Sequence, residues 1–335
     1  MNKKSRLFLI VSIVIFIIIF CFALMVGRYP ISLNDFLNCV FKNIKEYETQ
    51  RSIILNLRLP RTLMAAFVGI GISISGLLFQ EVFQNKLTSP DLLGVSTGAS
   101  VGASIAIILG LSSVFISVFA FVTGVITVIV TLFVAKLFKN ESSTTLILAG
   151  IIVGGFMSAI LSIVKYFADP TTTLSSITYW LMGSFENSKM KNICVMLPII
   201  IICVTILLIL SWRINIVALG MEEAQTKGIN YKLNRILIIG IATLLTAASV
   251  AFCGTISWVG LVIPHIVRLI VGRDTTKTIP LCISFGAIFM IIVDIISRTF
   301  TDSEIPLSAV TGLFGTLIFV IILIYKRKEI SNDYS

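Results

Sequence analysis

The chain has 335 residues, of which 57% are hydrophobic and only 13% are charged. A soluble globular domain carries about 25% charged residues, so a soluble enzyme, a nucleic-acid-binding protein and a disordered scaffold are excluded as descriptions of the whole chain. The net charge of +10 comes from basic residues between long apolar runs, which is the pattern of a polytopic membrane protein with charged loops.

Ten membrane-spanning helices are predicted from the charge-free runs, because a helix needs about 20 apolar residues to cross a bilayer. Two runs are long enough for two helices each, with breaks predicted near Gly110 and between Gly254 and Pro264. The eighth helix is expected to be short and to end near residue 271. The single spans are 7–27, 62–80, 142–164, 192–212, 278–297 and 305–325, and the paired spans lie within 92–135 and 236–267.

The orientation follows from the distribution of basic residues. The first run is longer than the apolar core of a signal peptide, and no small-x-small cleavage site follows it, so it is predicted to be an uncleaved helix. Ten spans put both termini on one side. If that side is cytoplasmic, 16 Lys and Arg residues lie inside and 10 lie outside, as the positive-inside rule prefers. The chain is predicted to be one all-α transmembrane domain, residues 1–335, with an outer loop at 28–61 and a long cytoplasmic loop at 213–235.

Several kinds of chemistry are missing from the sequence. There is no GxxxxGK[ST] phosphate loop, one histidine, and no cluster of metal-ligating residues, so no ATPase site, metal or cofactor is predicted. Asp294 is the one carboxylate close to the interior of a span, with Arg298 one helical turn later. An ion pair at a helix end is the favoured interpretation. A proton relay in a secondary transporter is the alternative.

The outer loop ends in Arg58-Leu-Pro-Arg61. Pro60 suits the first turn of a helix, so the second span is expected to begin there. Arg58 and Arg61 are three residues apart and would share a face. Together with Arg298 at the outer end of the ninth span, they predict a basic outer rim. Snorkelling of the side chains to lipid headgroups is the alternative.

Two predicted cytoplasmic segments contain residues that favour turns or helix ends. Asn85, Pro90 and Gly94 are expected to end one helix and begin the next through a tight loop. In the longest inner loop, Glu222 and Glu223 favour the start of a short helix.

A glycine is predicted to stand at each end of that short helix. Gly228 suits a left-handed residue at its end, and Gly220 would allow a sharp turn before it. Ala224 is small enough to let the helix sit deep in a partner's groove. A solvated connecting helix is an equally good interpretation.

Taken together, these segments resemble the binding-protein-dependent permease family that imports iron–siderophores, haem and cobalamin, the membrane subunits of type II ABC importers. The resemblance runs from Arg58 to about Ile324. Lys86, Thr255 and Leu317 stand where that family commonly has proline. The matching motifs are Arg58-Leu-Pro-Arg61, Gln80…Asn85-x-Leu87-x-x-Pro90-x-Leu-Leu-Gly94, Leu-Ala149-Gly150, Tyr179-Trp180-Leu-Met-Gly183-Ser, the loop ending at Gly228, Val259-Gly-Leu-Val-Ile-Pro264-His265-x-x-Arg268, and Glu304-Ile-Pro306-x-x-x-x-Thr311-Gly-x-x-Gly315.

The resemblance implies a ten-helix permease subunit that dimerises and forms a translocation path at the dimer interface. Iron–siderophore uptake is favoured, with haem and cobalamin as alternatives. The implied partners are a second permease chain, identical or paralogous, two cytoplasmic ATP-binding subunits and an external substrate-binding protein. The implied location is the inner membrane of a bacterium. No role with nucleic acid is implied.

The resemblance also implies roles for individual residues. Arg58, Arg61 and Arg298 would dock the binding protein. Four residues would form a cytoplasmic gate, namely Asn85, Leu87, Ser143 and Thr144. Five residues would couple the chain to the ATPase, namely Gly220, Glu222, Glu223, Ala224 and Gly228.

Overall fold

The computed structural model describes residues 3–41, 47–138 and 142–332. The described residues are all-helical and contain no strand. Parts of the predicted loops 28–61 and 136–142 lie outside these ranges, as do the first two and last three residues. The helices are α1 (Lys3–Met25), α2 (Leu33–Phe41), α3 (Glu48–Ser52), α4 (Leu59–Val82), α5 (Val95–Ile108), α6 (Ser113–Leu137), α7 (Ser143–Phe167), α8 (Thr173–Met182), α9 (Met190–Val217), α10 (Met221–Thr226), α11 (Tyr231–Cys253), α12 (Val259–Val271), α13 (Thr275–Thr299) and α14 (Leu307–Asn332).

The prediction of an all-α polytopic membrane protein is confirmed. Among the residues that the structure describes, eight helices are long and apolar enough to cross a membrane, while α5 and α12 are apolar but shorter. Both predicted breaks are present, one between α5 and α6 and one between α11 and α12. The eighth apolar helix, α12, is short and ends at Val271, as expected. The shortness of α5 was not predicted. At 14 residues it is about 21 Å long, against about 30 Å of hydrocarbon.

The chain before α5 turns back into the bundle without forming a long helix. A 3-10 turn at Pro90–Leu93 leads to Gly94, whose φ is +78°. The backbone of Leu92 approaches α7 so closely that a Cβ on Gly150 would overlap its carbonyl oxygen. The hydroxyl of Thr131 donates to the carbonyl of Leu93 at 3.1 Å. Non-helical backbone is tolerated at membrane depth only when protein satisfies its polar groups, and the Thr131 hydroxyl of α6 does so here for the Leu93 carbonyl.

The start of α12 is built in a similar way. The chain leaves α11 at Gly254, with φ of +76°, and passes through Trp258, with φ of +71°. Thr255 donates its hydroxyl to the carbonyl of Leu181 at 2.5 Å. Gly254 and Ile256 of this linker are buried. Because the linker is not helical, fewer residues remain for the helix that follows, and α12 has only 13.

Helix α4 lies at the centre of the bundle, where it packs against α9, α11, α12 and α13. Of the most apolar stretch of Glu48–Val82, 83% is buried, against 17% in α1 and in α7. Ser73 and Ser75 face neighbouring helices and donate to the carbonyls of Cys282 and Ala242 at 2.7 and 2.9 Å. A helix buried on all sides must satisfy its polar groups internally, and these hydroxyl contacts do that.

Pro60 lies in the first turn of α4, as expected, but α4 continues an earlier helical segment that was not predicted. The helix starts at Glu48 and continues through a π-helical segment, Ile53–Arg58, into α4. Proline removes one backbone donor and crowds the preceding turn. A π-helical segment widens the helix locally and lets it continue through such a site.

Candidate coupling face, gate and outer charge cluster

The predicted short helix in the long cytoplasmic loop is present as α10, Met221–Thr226. Gly220 precedes it with φ of +111°, and Gly228 follows it with φ of +70°. Both values are costly for residues with a Cβ. The two glycines therefore set the direction in which α10 leaves α9 and the direction in which the chain enters α11.

The two faces of α10 differ. Ala224 is completely buried against the rest of the chain, whereas Glu222 and Glu223 are exposed. The expectation that Ala224 inserts into a partner's groove is therefore wrong for this structure, because the methyl group packs against this chain's own core. Met221 is also exposed. The surface of α10 available to another protein is acidic with an apolar edge.

The base of this loop is tied to the start of α13. The side chain of Asn215 donates to Asp274 at 3.1 Å and accepts from the backbone N–H of Thr275 at 2.7 Å. Burial alone would raise the pKa of Asp274, but hydrogen bonds from Lys277, Thr276 and Asn215 together hold that pKa well below its ordinary value. The anionic carboxylate thus links α9 to α13 beside α10.

The two predicted gate segments are separate structures. Asn85 and Leu87 lie in an exposed turn after α4, where the Asn85 side chain accepts from the Leu87 backbone N–H at 3.0 Å. Ser143 and Thr144 lie in the first turn of α7. Ser143 is 3.5 Å from a guanidinium nitrogen of Arg235 on α11. A gating role for these four residues stays a prediction.

Asp91 is an exposed carboxylate that was not predicted to be functional. It lies in Pro90–Leu93, the segment that turns back into the bundle before α5, which we call the re-entrant segment. Asp91 is in the turn Pro90–Leu93 and accepts a hydrogen bond from the hydroxyl of Ser96. Its neighbours Leu92 and Leu93 pack against α6 and α7, inward of their cytoplasmic ends. Residues 81–91 look like an ordinary cytoplasmic loop in sequence, so only the tertiary contacts reveal the depth of this carboxylate.

At the outer side, Arg58 is buried and does not reach solvent. Its guanidinium donates to the carbonyls of Leu24 and Met25 at 2.9 and 2.7 Å, and to that of Tyr29. The last carbonyls of a helix have no partner within the helix, and a cation is favourable at that end. Arg58 therefore caps α1.

Arg61, Asp294, Arg298 and Glu304 form the rest of this outer charge cluster. Arg61 Nε lies 2.6 Å from Asp294 Oδ1, and Arg61 Nη2 lies 3.0 Å from Glu304 Oε2. Arg298 Nε lies 3.3 Å from Asp294 Oδ2, which confirms the predicted ion pair, and Arg298 also donates to the carbonyl of Ala23 at 2.5 Å.

The prediction of an exposed basic rim is therefore wrong. Arg58 and Arg298 are each only 6% exposed, because carboxylates and helix-end carbonyls of the same chain occupy their guanidiniums. Docking of a binding protein by Arg58, Arg61 and Arg298 stays a prediction, and it would require this cluster to open.

A second buried ion pair lies at the cytoplasmic end and was not predicted. Arg268 of α12 lies 2.9 Å from a carboxylate oxygen of Glu81 and also donates to the side-chain oxygen of Gln80, both on α4. Because α12 begins inside the bundle, this pair fixes its inner end against the central helix.

Comparisons with known proteins identify the family to which this architecture belongs. A sequence model described as the FecCD transport family matches residues 15–325. The chain belongs to the FecCD transport family. It is 36% identical over 307 residues to the molybdate import system permease protein MolB of Haemophilus influenzae, covering 91% of each chain. It is 31% identical over 321 residues to the Fe(3+)-citrate import system permease protein YfmD of Bacillus subtilis, covering 95% of each.

A solved structure agrees with the fold. An inward-facing ABC transporter described as of the metal-chelate type superposes with a TM-score of 0.86 and 35% sequence identity, over 95% of this chain and 98% of the other. The chain is thus the membrane permease subunit of an ABC importer and a multi-pass protein of the bacterial inner membrane. ATP hydrolysis belongs to a separate subunit, and membership in this family implies a partner permease chain, ATPase subunits and a binding protein.

Proposed function

We propose that this chain imports an iron chelate, with an iron–siderophore complex as the cargo. Support comes from relatives whose names specify Fe(3+)-citrate or, as "Probable iron chelatin transport system permease protein" of Helicobacter pylori, iron chelatin, the latter 31% identical over 86% of this chain. Other relatives are named for molybdate and cobalamin. The absence of any cluster of three or more metal-ligating side chains among the described residues is compatible with a cargo that arrives already chelated.

The translocation path is proposed to lie where two copies of this chain, or this chain and a paralogue, meet along α7. The observation that carries this is the exposure of Asp91, because a carboxylate at membrane depth faces water or protein rather than lipid. On α7, Gly155, Ser158 and Ser162 are exposed and share one face. Small and polar side chains on that face suit helix packing or a hydrated path better than contact with lipid.

The secondary-transporter alternative has less support. Its proposed relay, Asp294, is completely buried and lies between the guanidiniums of Arg61 and Arg298. A proton relay must exchange protons with water or with another relay group. A carboxylate with no exposed surface whose oxygens face two guanidiniums is poorly placed for that exchange.

Uptake by a strain lacking this chain tests the proposed cargo. Deletion should abolish uptake of a radiolabelled iron–siderophore complex, and expression of the chain with its ATPase and binding protein should restore it. The restored uptake should survive collapse of the proton gradient and fail when ATP is depleted. Uptake of labelled molybdate or cobalamin instead would overturn the iron proposal and leave the family assignment intact.

A further inference from the structure

A large cleft lies on the outer half of the chain and shares only Glu304 with the surfaces described above. Its volume is about 1380 Å³, and it lies between α6, α9 and α11. The apolar walls include Val118 and Phe121 of α6 and Val195 and Ile199 of α9, while Ala251 of α11 forms part of the floor. Ala251 is 3% exposed, so the floor lies in the packed interior of the bundle.

The cleft reaches well into the membrane. Helix α9 begins at Met190 on the outer side, and Ile199 is nine residues further along, which corresponds to a depth of about 14 Å. The wall residues Val118 and Val195 are themselves exposed. Hydrocarbon chains fill the space between these apolar walls favourably.

The outer rim of the cleft carries fixed cations. Lys189 and Lys191 stand at the start of α9, line the cleft and are exposed. Within the described ranges, no salt bridge to either lysine is present. Arg28 also lines the cleft and is exposed. Three basic side chains therefore stand beside the carboxylates of Glu186 and Asp302, because the remaining carboxylate, Glu304, is paired with Arg61. A cationic rim above apolar walls matches an amphiphile with a phosphate at its polar end.

We propose that this cleft is a binding site for one glycerophospholipid of the outer leaflet. Lys189 and Lys191 hold its phosphate, and its acyl chains lie between α6 and α9 against the floor formed by α11. The cleft is also lined by residues of α8 and of the loop that leads into α14. A bound lipid therefore braces the outer ends of these elements. The proposal does not depend on the identity of the cargo.

Native mass spectrometry of the purified complex tests this site, with phosphatidylglycerol added as the probe. Neutralising both lysines in Lys189→Gln/Lys191→Gln should weaken phosphatidylglycerol retention by about fivefold per lysine. Val195→Trp should displace the lipid by filling the cleft from an exposed position, where folding tolerates a larger side chain. Lys165→Gln and Val122→Trp are the matched controls, because neither residue lines the cleft, and both should retain lipid as the parent does.

Two outcomes would overturn the proposal. The first is equal retention of phosphatidylglycerol by the parent, the double lysine variant and Val195→Trp. The second is weaker association with the substrate-binding protein in the double lysine variant while lipid retention is unchanged, which would make the rim a protein contact. Retention of phosphatidylethanolamine that is lost in the same variants would support the site, since the phosphate is shared by both lipids.

Discussion

Arg61 and Asp294 form a buried ion pair between α4 and α13, with Nε and Oδ1 2.6 Å apart. Asp294 has no exposed surface, and its second oxygen lies 3.3 Å from Arg298. The guanidiniums of Arg61 and Arg298 are therefore both paired with the single carboxylate of Asp294. Since Arg298 also contacts the last turn of α1, this carboxylate joins three helices at the outer side.

Asp294→Asn should destabilise the permease strongly. Removing one partner of a buried ion pair leaves uncompensated charge and costs about 3–5 kcal/mol. Glu304→Gln should cost less, because Glu304 is partly exposed and water can replace it. Thermal unfolding of the detergent-purified chain measures both variants. Equal melting temperatures for Asp294→Asn and the parent would contradict a structural role for this cluster.

The two faces of α10 should give different phenotypes. Glu222→Lys/Glu223→Lys changes exposed side chains, so the permease should remain stable but no longer co-purify with its ATPase. Ala224→Trp overfills a buried site and should lower the stability of the permease itself, by about 1–3 kcal/mol. Co-purification and thermal unfolding, measured together, separate the two effects. A stable Ala224→Trp variant that only loses the ATPase would restore the original prediction for this residue.

Gly228→Val should also disturb the coupling face. The left-handed backbone at Gly228, with φ of +70°, costs about 1–2 kcal/mol for a residue with a Cβ. We expect reduced ATPase stimulation with normal membrane insertion. Gly240→Val is the matched control, because a Cβ there meets nothing within 4 Å and its φ is not positive. Full stimulation in Gly228→Val would show that the turn is not needed for coupling.

The contact between Asn215 and Asp274 should respond to pH in a defined direction. Because the folded-state pKa of Asp274 is lowered, its stabilising contribution is present above the unfolded value of about 4 and is lost as the pH falls further. Stability should therefore not change between pH 6 and 8 through this residue. Asn215→Ala should cost about 1 kcal/mol and reduce the coupling of ATP hydrolysis to transport. A fall in stability between pH 8 and 6 that Asp274→Asn abolishes would contradict this account.

Cysteines test the proposed cytoplasmic gate. Asn85→Cys or Leu87→Cys, in a chain whose native cysteines are replaced, should cross-link to the partner permease in one nucleotide state more than in another. A constriction that closes must bring these exposed residues close to the path axis. Arg273→Cys, at an exposed position between α12 and α13, is the control and should not cross-link. Identical cross-linking of the gate positions in every state would make them ordinary loop residues.

The sequence by itself determined the number and order of the apolar helices. Placing charge in lipid is costly, so charge-free runs of about 20 residues mark the spans. The ten apolar helices were therefore located without knowledge of their contacts, whereas the short helices α2, α3 and α8 were not predicted. The role of glycines at helix ends could also be predicted from the local sequence. Gly220 and Gly228 mark the ends of α10 because their backbone angles disfavour any other residue.

Only the tertiary structure decided which polar residues are exposed. From the sequence, Arg58 and Arg298 were predicted to belong to a basic rim, and Ala224 was predicted to lie in a contact with a partner. All three side chains are buried in the structure. Arg58 donates to Leu24 and Met25, 34 and 33 residues away, and Arg298 donates to Ala23, 275 residues away. Such distant partners leave no local signal in the sequence. Asp91 differs in the opposite direction. It lies in a predicted cytoplasmic loop, yet the residues next to it, Leu92 and Leu93, pack against α7 and α6. Pairing of charges and the depth of a re-entrant segment are properties of the packed bundle, because each depends on groups that folding alone brings together.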